Sequence, residues 1–211
     1  MKLTFISDTH SSHQNLILEG GDILFHCGDF TRTGTIREAK DFAIYIANQK
    51  YRHKIVIAGN HDFCFENQFK SEAEKILKDN GIIYLNDSFV VLEKIKIWGS
   101  PVQPFFHNWA FNRLRGEEIN KHWNLIPEDI NILLTHGPPH GLLDKVYSGE
   151  SVGCEDLLKK IAKVQPHIHA FGHIHESYGT KNVVCTRFIN ACVTDLSYKV
   201  VNKPFSMEYD P

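Results

Sequence analysis

The residues best suited to chemistry are histidines in the company of Asp, Asn and Gly. Thirteen histidines occur in 211 residues, and two of them, His173 and His175, flank one isoleucine in "AFGHIHE" (170–176). On a strand, residues two apart share a face, so this pair could hold one metal, two metals or none. Four further segments carry similar groups: "SDTH" (7–10), "CGDF" (27–30), "AGNHDF" (58–63) and "LTHGPP" (134–139). Any one of them alone reads more readily as a turn, a helix cap or a hydrogen-bonded histidine. Neutral imidazole, carboxylate and amide oxygen together suit Mn, Fe, Ni, Co or Zn, and the donor types do not choose among these ions.

The elements that must position these groups are short and apolar. Runs at 2–7, 22–26, 54–58, 82–85, 89–93, 94–99, 130–135, 168–172 and 183–191 are rich in Ile, Val and Phe, which favours strands. Helical periodicity covers 35–50, 71–81 and 153–166. The second of these opens on a Ser-x-x-Glu capping pattern and ends at Gly81. Strand and helix alternate early, and strands then follow strands, which predicts an α/β fold with two mixed sheets. Asp8 and His10 follow the first strand, Asp29 the second, and Asn60 and His61 the third; His136 and the His173/His175 pair follow two later ones. In open α/β sheets ligands bind beyond the carboxyl ends of strands, so five strand ends would deliver these groups to one rim.

In this order the five segments fill every position of a D-x-H, G-D, G-N-H-[DE], H, G-H-x-H pattern, and the sequence resembles the calcineurin-like metallophosphoesterase superfamily. "WGSPVQPFFHNWAFNRLRGEE" (98–118), "LLTHGPPHG" (133–141) and "SVGCEDLL" (151–158) extend the likeness to its small class III-type, metallophosphoesterase-domain-containing branch over nearly the whole chain. The resemblance implies a four-layer αββα sandwich in a single domain, 1–211. It implies two divalent transition-metal ions, with manganese favoured: Asp8, His10 and His175 on one, Asn60, His136 and His173 on the other, and Asp29 bridging. That division requires the backbone to leave a flat strand near Ile174. The implied reaction is in-line attack of a metal-bridging hydroxide on a phosphate ester. Paired cations roughly 3.5–4 Å apart clamp both the attacking and the leaving oxygens in such a reaction. His61 would face the substrate as the acid for the leaving oxygen, a role worth about 10²–10⁴-fold in rate, with Asp62 orienting its imidazole.

Composition narrows the substrate. A net charge of −2 offers no electrostatic footprint for a nucleic-acid polymer. A small phosphodiester is therefore the expected partner, with cyclic nucleotides as one candidate class. No apolar stretch is long enough for a signal segment or a membrane span, and five cysteines without a CxxC pair point to reduced thiols, so a cytoplasmic setting is expected. The alternatives are a protein phosphatase or nuclease on the same core, and a metal- or nucleotide-binding interaction module with little turnover. His13 reads as an exposed loop residue, His26 as a core residue, and Cys27 as packing. The aromatic stretch 101–112 reads as a roof in which His107 and Trp109 could stack on a ring. Arg113 and Arg115 read as phosphate contacts or solvated charges.

Overall fold

A computed structural model describes residues 1–210. One sheet contains β1 (Lys2–Ile6), β2 (Gly21–Cys27), β3 (Tyr51–Ile57), β4 (Ile83–Tyr84) and β13 (Phe205–Glu208), in the order β13-β1-β2-β3-β4. Its first four strands run parallel, and β13 closes the edge antiparallel to β1. The second sheet has the order β11-β12-β10-β9-β6-β5. Its strands are β5 (Ser88–Leu92), β6 (Ile95–Ser100), β9 (Ile132–Thr135), β10 (Ile168–Phe171), β11 (Gly179–Val183) and β12 (Thr186–Asn190). The inner four are parallel and the two edges antiparallel. A two-residue ribbon, β7 (Gln103–Pro104) with β8 (Asn112–Arg113), stands apart from both sheets.

The strand sequences dictate the layering. In β1 and β2, Leu3, Phe5, Ile23 and Phe25 fall on one face with the period of two that a pleat imposes. They meet Ile97, Ile132, Leu134 and Ala170 of the second sheet, and this layer between the sheets is fully buried. Phe5 and Phe25 stack with centroids 4.7 Å apart, and truncating either to Ala would cost about 3–5 kcal/mol. The opposite face of the first sheet packs Leu24 and Val56 under α1 (Ile36–Ala47) and α2 (Lys70–Asp79). Leu133 and Trp98 on the outer face of the second sheet pack under α3 (Glu117–Trp123) and α4 (Glu155–Val164). The result is the four-layer αββα sandwich expected from the sequence.

Several local expectations are corrected. The run 183–191 is not one strand: Val184, at φ 53°, turns the chain between β11 and β12. Ser71 does not cap α2, whose N-cap is Phe69 with no side-chain bond. The capping box belongs instead to α1, where the Thr35 hydroxyl accepts from Glu38 N and the Glu38 carboxylate takes Thr35 N. Helix α3 and strand β13 lie outside the elements the sequence announced.

Candidate metal centre

The parallel strands of both sheets end at one rim, and the sheets are pinched together there. Ser7, just past β1, bridges to Cys192, just past β12, and Val193 N donates to Ser7 O at 3.0 Å. From the other side, the His136 ring reaches from the end of β9 to the end of β2, where its Nδ1 donates to Cys27 O at 2.9 Å. A Cβ on Gly28 would stand 2.6 Å from that same Nδ1. One on Gly172 would collide with the Asp8 carboxylate. The backbone pays for this convergence: Asp8, His10, Asp29 and His173 all lie at φ between 40° and 67°. Such left-handed residues cost about 1–3 kcal/mol each and persist only where surroundings hold them.

Three overlapping groups of donors result: Asp8, His10 and His175; His10, Asp29 and His61; Asp29, His136 and His173. In the first, His10 Nε2 lies 3.4 Å from His175 Nε2 and 4.0 Å from Asp8 Oδ1, and His175 Nε2 lies 3.7 Å from Asp8 Oδ1. His175 Nδ1 faces the carbonyls of Thr194 and Asp195 at 3.1 and 3.0 Å, which directs Nε2 inward. In the last group His136 Nε2 stands 2.9 Å from Asn60 Oδ1 and 3.4 Å from Asp29 Oδ2. Asp29 joins the two sides, since its Oδ2 is also 3.9 Å from His10 Nε2. Ligands about 2.1 Å from one ion are at most about 4.2 Å from each other. The donor spacing on both sides of Asp29 therefore fits two metal ions, and the donor set is nitrogen and oxygen throughout.

The strand reading of the His173/His175 pair does not survive, and the departure near Ile174 does. β10 stops at Phe171, Ile174 N closes a tight turn onto Gly172 O, and His175–Ser177 form one 3-10 turn. His173 is thereby sent to the Asp29 side and His175 to the Asp8 side.

The ionisable groups of the site shift one another strongly. Burial alone would raise the Asp8 carboxyl, but His136 and His175 outweigh it and hold it below the usual carboxylate range. Burial opposes ionisation of Asp29 as well, and His136 with His10 drives it far lower. Burial should lower His136, yet Asp29 and Asp8 lift it to about 9. His10, whose Nδ1 has no partner, is pushed down to about 4 by burial, which the two carboxylates only partly offset.

His61 sits between the two sides. Its Nδ1 donates to Arg32 O at 2.8 Å, leaving Nε2 to face Asp29 Oδ2 at 4.0 Å, and Trp109 lies over the ring at 4.3 Å. The expected partnership with Asp62 is absent. The buried Asp62 carboxylate instead accepts from Asp29 N (2.9 Å), Gly59 N (2.8 Å), Thr31 N (2.9 Å) and the Thr31 hydroxyl (2.6 Å). These four donors saturate both oxygens, so Asp62 braces the loops that carry Asp29 and Asn60. Burial and Asp29 push its carboxyl upward against those donors.

Other expectations sort similarly. His26 and Cys27 are buried as expected, His26 against the Thr9 hydroxyl at 3.0 Å. His13 is not exposed: it is buried, with Nε2 3.1 Å from Asp41. Arg113 is tied to Glu66 and His122, and Arg115 to the carbonyls of Gly153 and Val152, so both act as struts. Two neighbours had no sequence signal. Tyr198, at φ 60°, packs 4.4 Å from the His10 ring, and the Arg32 guanidinium lies 5.1 Å above Tyr198.

Two mixed sheets between helices, with carboxylates, an amide and imidazoles converging at one rim, define a metallophosphoesterase. The chain belongs to the calcineurin-like phosphoesterase family, whose model matches residues 1–177. It is 40% identical over 225 residues to human metallophosphoesterase domain-containing protein 1, covering 96% of this chain and 69% of that protein. It is 34% identical to a Caenorhabditis elegans protein, UPF0046 protein K07C11.7, over 97% of this chain and 73% of the relative. Among solved structures, TT1561 of Thermus thermophilus superposes with TM-score 0.64 at 12% identity, covering 90% of this chain and 88% of that one. GAP50, the anchor in the inner membrane complex of Plasmodium, does so with TM-score 0.53 at 11% identity, over 92% and 71%. Among the described residues no helix is long and apolar enough to cross a membrane.

Proposed function

We propose that the chain hydrolyses small phosphate diesters by in-line displacement at a dinuclear centre. The observation that carries this reading is Asp29, whose one carboxylate oxygen lies 3.4 Å from His136 Nε2 and 3.9 Å from His10 Nε2. Asp8, His10 and His175 would hold one ion and Asn60, His136 and His173 the other, with Asp29 between them; manganese is the favoured metal. When bound, such ions supply Lewis acidity and lower the pKa of water to about 7.

The chain's own residues do the rest. Asp29 places negative charge where two cations would repel each other. Arg32 O fixes the His61 ring through Nδ1, so that a proton on Nε2 points towards the site and can pass to the leaving oxygen. Trp109 covers the far face of that imidazole and limits water around it. Every donor of the family pattern and His61 are present, which favours turnover over a purely binding module.

The test pairs activity with metal content. The wild-type protein should hydrolyse bis-p-nitrophenyl phosphate with added Mn²⁺ and retain about two ions per chain by elemental analysis. Asp29→Asn should fall towards one ion or fewer and lose most of the rate. Full activity with two ions retained in the variant would remove Asp29 from the bridge, and an inert wild type would remove the reaction.

A further inference from the structure

A cavity of about 430 Å³ opens beside the centre, and His173 belongs to both its wall and the Asp29 donor group. A larger one, about 540 Å³ and walled by Leu16, Tyr51 and Val201, shares no residue with the donors. The cavity at His173 has the volume of a small-molecule site. Its walls include Phe105, Phe106, Pro138, Val152, Ile174 and Leu196. Phe105, Phe106 and Leu196 are 57%, 50% and 63% exposed, an apolar rim that the chain itself leaves uncovered. The Phe106 ring meets His173 edge-on at 6.2 Å, and His173 meets His136 at 5.0 Å, so the cavity leads directly to the Asn60/His136 side.

Its charge is as informative as its shape. Arg115 on the wall already donates to Gly153 O and Val152 O, at 2.9 and 3.0 Å. The remaining charged wall groups are Glu150 and Glu176, besides the imidazole of His173. A second phosphate or a carboxylate on the substrate would meet two carboxylates against one guanidinium, which already commits two of its N–H groups to Gly153 O and Val152 O. Gln103 Oε1 at the wall is buried without a partner and could accept from an N–H or O–H on a ring. His61 lines none of this cavity; it packs on His10 and under Trp109.

Resting on the phosphoesterase reading, we infer that this cavity is the subsite for the ester group that stays on phosphorus, and that it selects a flat, uncharged ring. His61, which lies outside this cavity, serves the oxygen that leaves.

Phosphonate esters test this cleanly, because a P–C bond fixes which group is retained. With manganese-loaded protein, p-nitrophenyl phenylphosphonate and p-nitrophenyl methylphosphonate lose the same leaving group. After each rate is divided by its uncatalysed rate, kcat/KM should favour phenyl by about 10–100-fold, the range expected for burying a ring. Val152→Trp and, independently, Val146→Trp fill the cavity and should bring that ratio to within about threefold of unity. Calorimetry reads the same preference without turnover: phenylphosphonate should bind more tightly than methylphosphonate to the wild type but not to Val152→Trp. Comparable rates and affinities for the two groups in the wild type would overturn the subsite while leaving the hydrolase standing. So would a phenyl preference that survives both tryptophans. Preferential phenylphosphonate binding without any hydrolysis would support the subsite and sink the hydrolase.

Discussion

The two sides of the metal centre each pair two imidazoles with one oxygen donor, the Asp8 carboxylate on one and the Asn60 amide on the other, and they are held differently. On the Asn60/His136 side, polar contacts are short: His136 is bonded at 2.9 Å to Cys27 O and stands 2.9 Å from Asn60 Oδ1, while Asp29 Oδ1 accepts from His61 N at 2.8 Å. On the Asp8/His10/His175 side the donors stand 3.4–4.0 Å apart, and His10 Nδ1 has no partner. The first side is anchored to strand-end backbone at Cys27 O. Burial lowers His136 there but Asp29 and Asp8 lift it to about 9, whereas burial prevails at His10 and pushes it down to about 4. The second side hangs on loops: Thr194 donates from its hydroxyl to Asp8 O at 2.6 Å and offers its carbonyl to His175. The His136 side is tied straight to a strand end, and the more open Asp8 side is tied to the 194–195 loop through the Thr194 hydroxyl and the Thr194 and Asp195 carbonyls.

His61 lies across this division, so removing it is the most forceful intervention. In His61→Ala both ions should remain, because Asp8, His10 and His175 on one side and Asn60, His136 and His173 on the other, with Asp29 between, are all kept. Activity on alkyl phosphodiesters should fall about 10²–10⁴-fold, and much less on p-nitrophenyl esters, whose leaving group needs no proton. Loss of one ion per chain together with equal losses on both ester types would make His61 a fourth donor of the open side, and the asymmetry between the sides would disappear.

A gentler change acts on the open side alone. Thr194→Val deletes the hydroxyl that holds Asp8 O while keeping the carbonyl that faces His175. Outer groups that orient ligands typically matter by 10–100-fold in metal affinity. One of the two ions should therefore weaken by about that factor in a calorimetric titration, and the other should hold. Equal weakening of both would mean that the two sides assemble as one unit.

How far the site was legible follows from what sequence can encode. Asp8, Asp29, Asn60, His136 and the 173/175 pair stand at strand ends, where topology alone delivers them to a common rim, and the structure brings them together there. The sandwich was legible for the same reason, since β1, β2, β3, β9 and β10 announce themselves by apolar runs. What carries no side-chain signature was hidden. The partner of His61 is a backbone carbonyl, so Asp62, its neighbour in sequence, drew the role that Arg32 O fills. His13 looked exposed because nothing local reveals that Asp41 and Phe42, nearly thirty residues on, enclose it. Strand β13 pairs Glu208 with Lys2, a contact that only the folded chain makes.

The smallest expected effect concerns the brace that reaches the open side from α1. Glu38 accepts from Ser11 Oγ beside His10, from Arg32 N beside the carbonyl that holds His61, and from Thr33 and Thr35. Partial burial works against its ionisation, but the Thr35, Thr33 and Arg32 donors prevail and bring it from 4.5 down to about 2. A carboxyl depressed in the folded state adds stability above its unfolded value and gives it up as pH falls through the folded one. Glu38→Gln should then lower unfolding free energy by about 1 kcal/mol at pH 6, a figure discounted for solvent screening. In denaturant titrations the gap to wild type should narrow between pH 4.5 and about 2. The same variant should slow diester hydrolysis by no more than about fivefold, because geometry rather than charge at the centre is loosened. A stability gap that stays constant across that window would assign the brace to shape alone and detach the carboxylate's charge from the support of the open side.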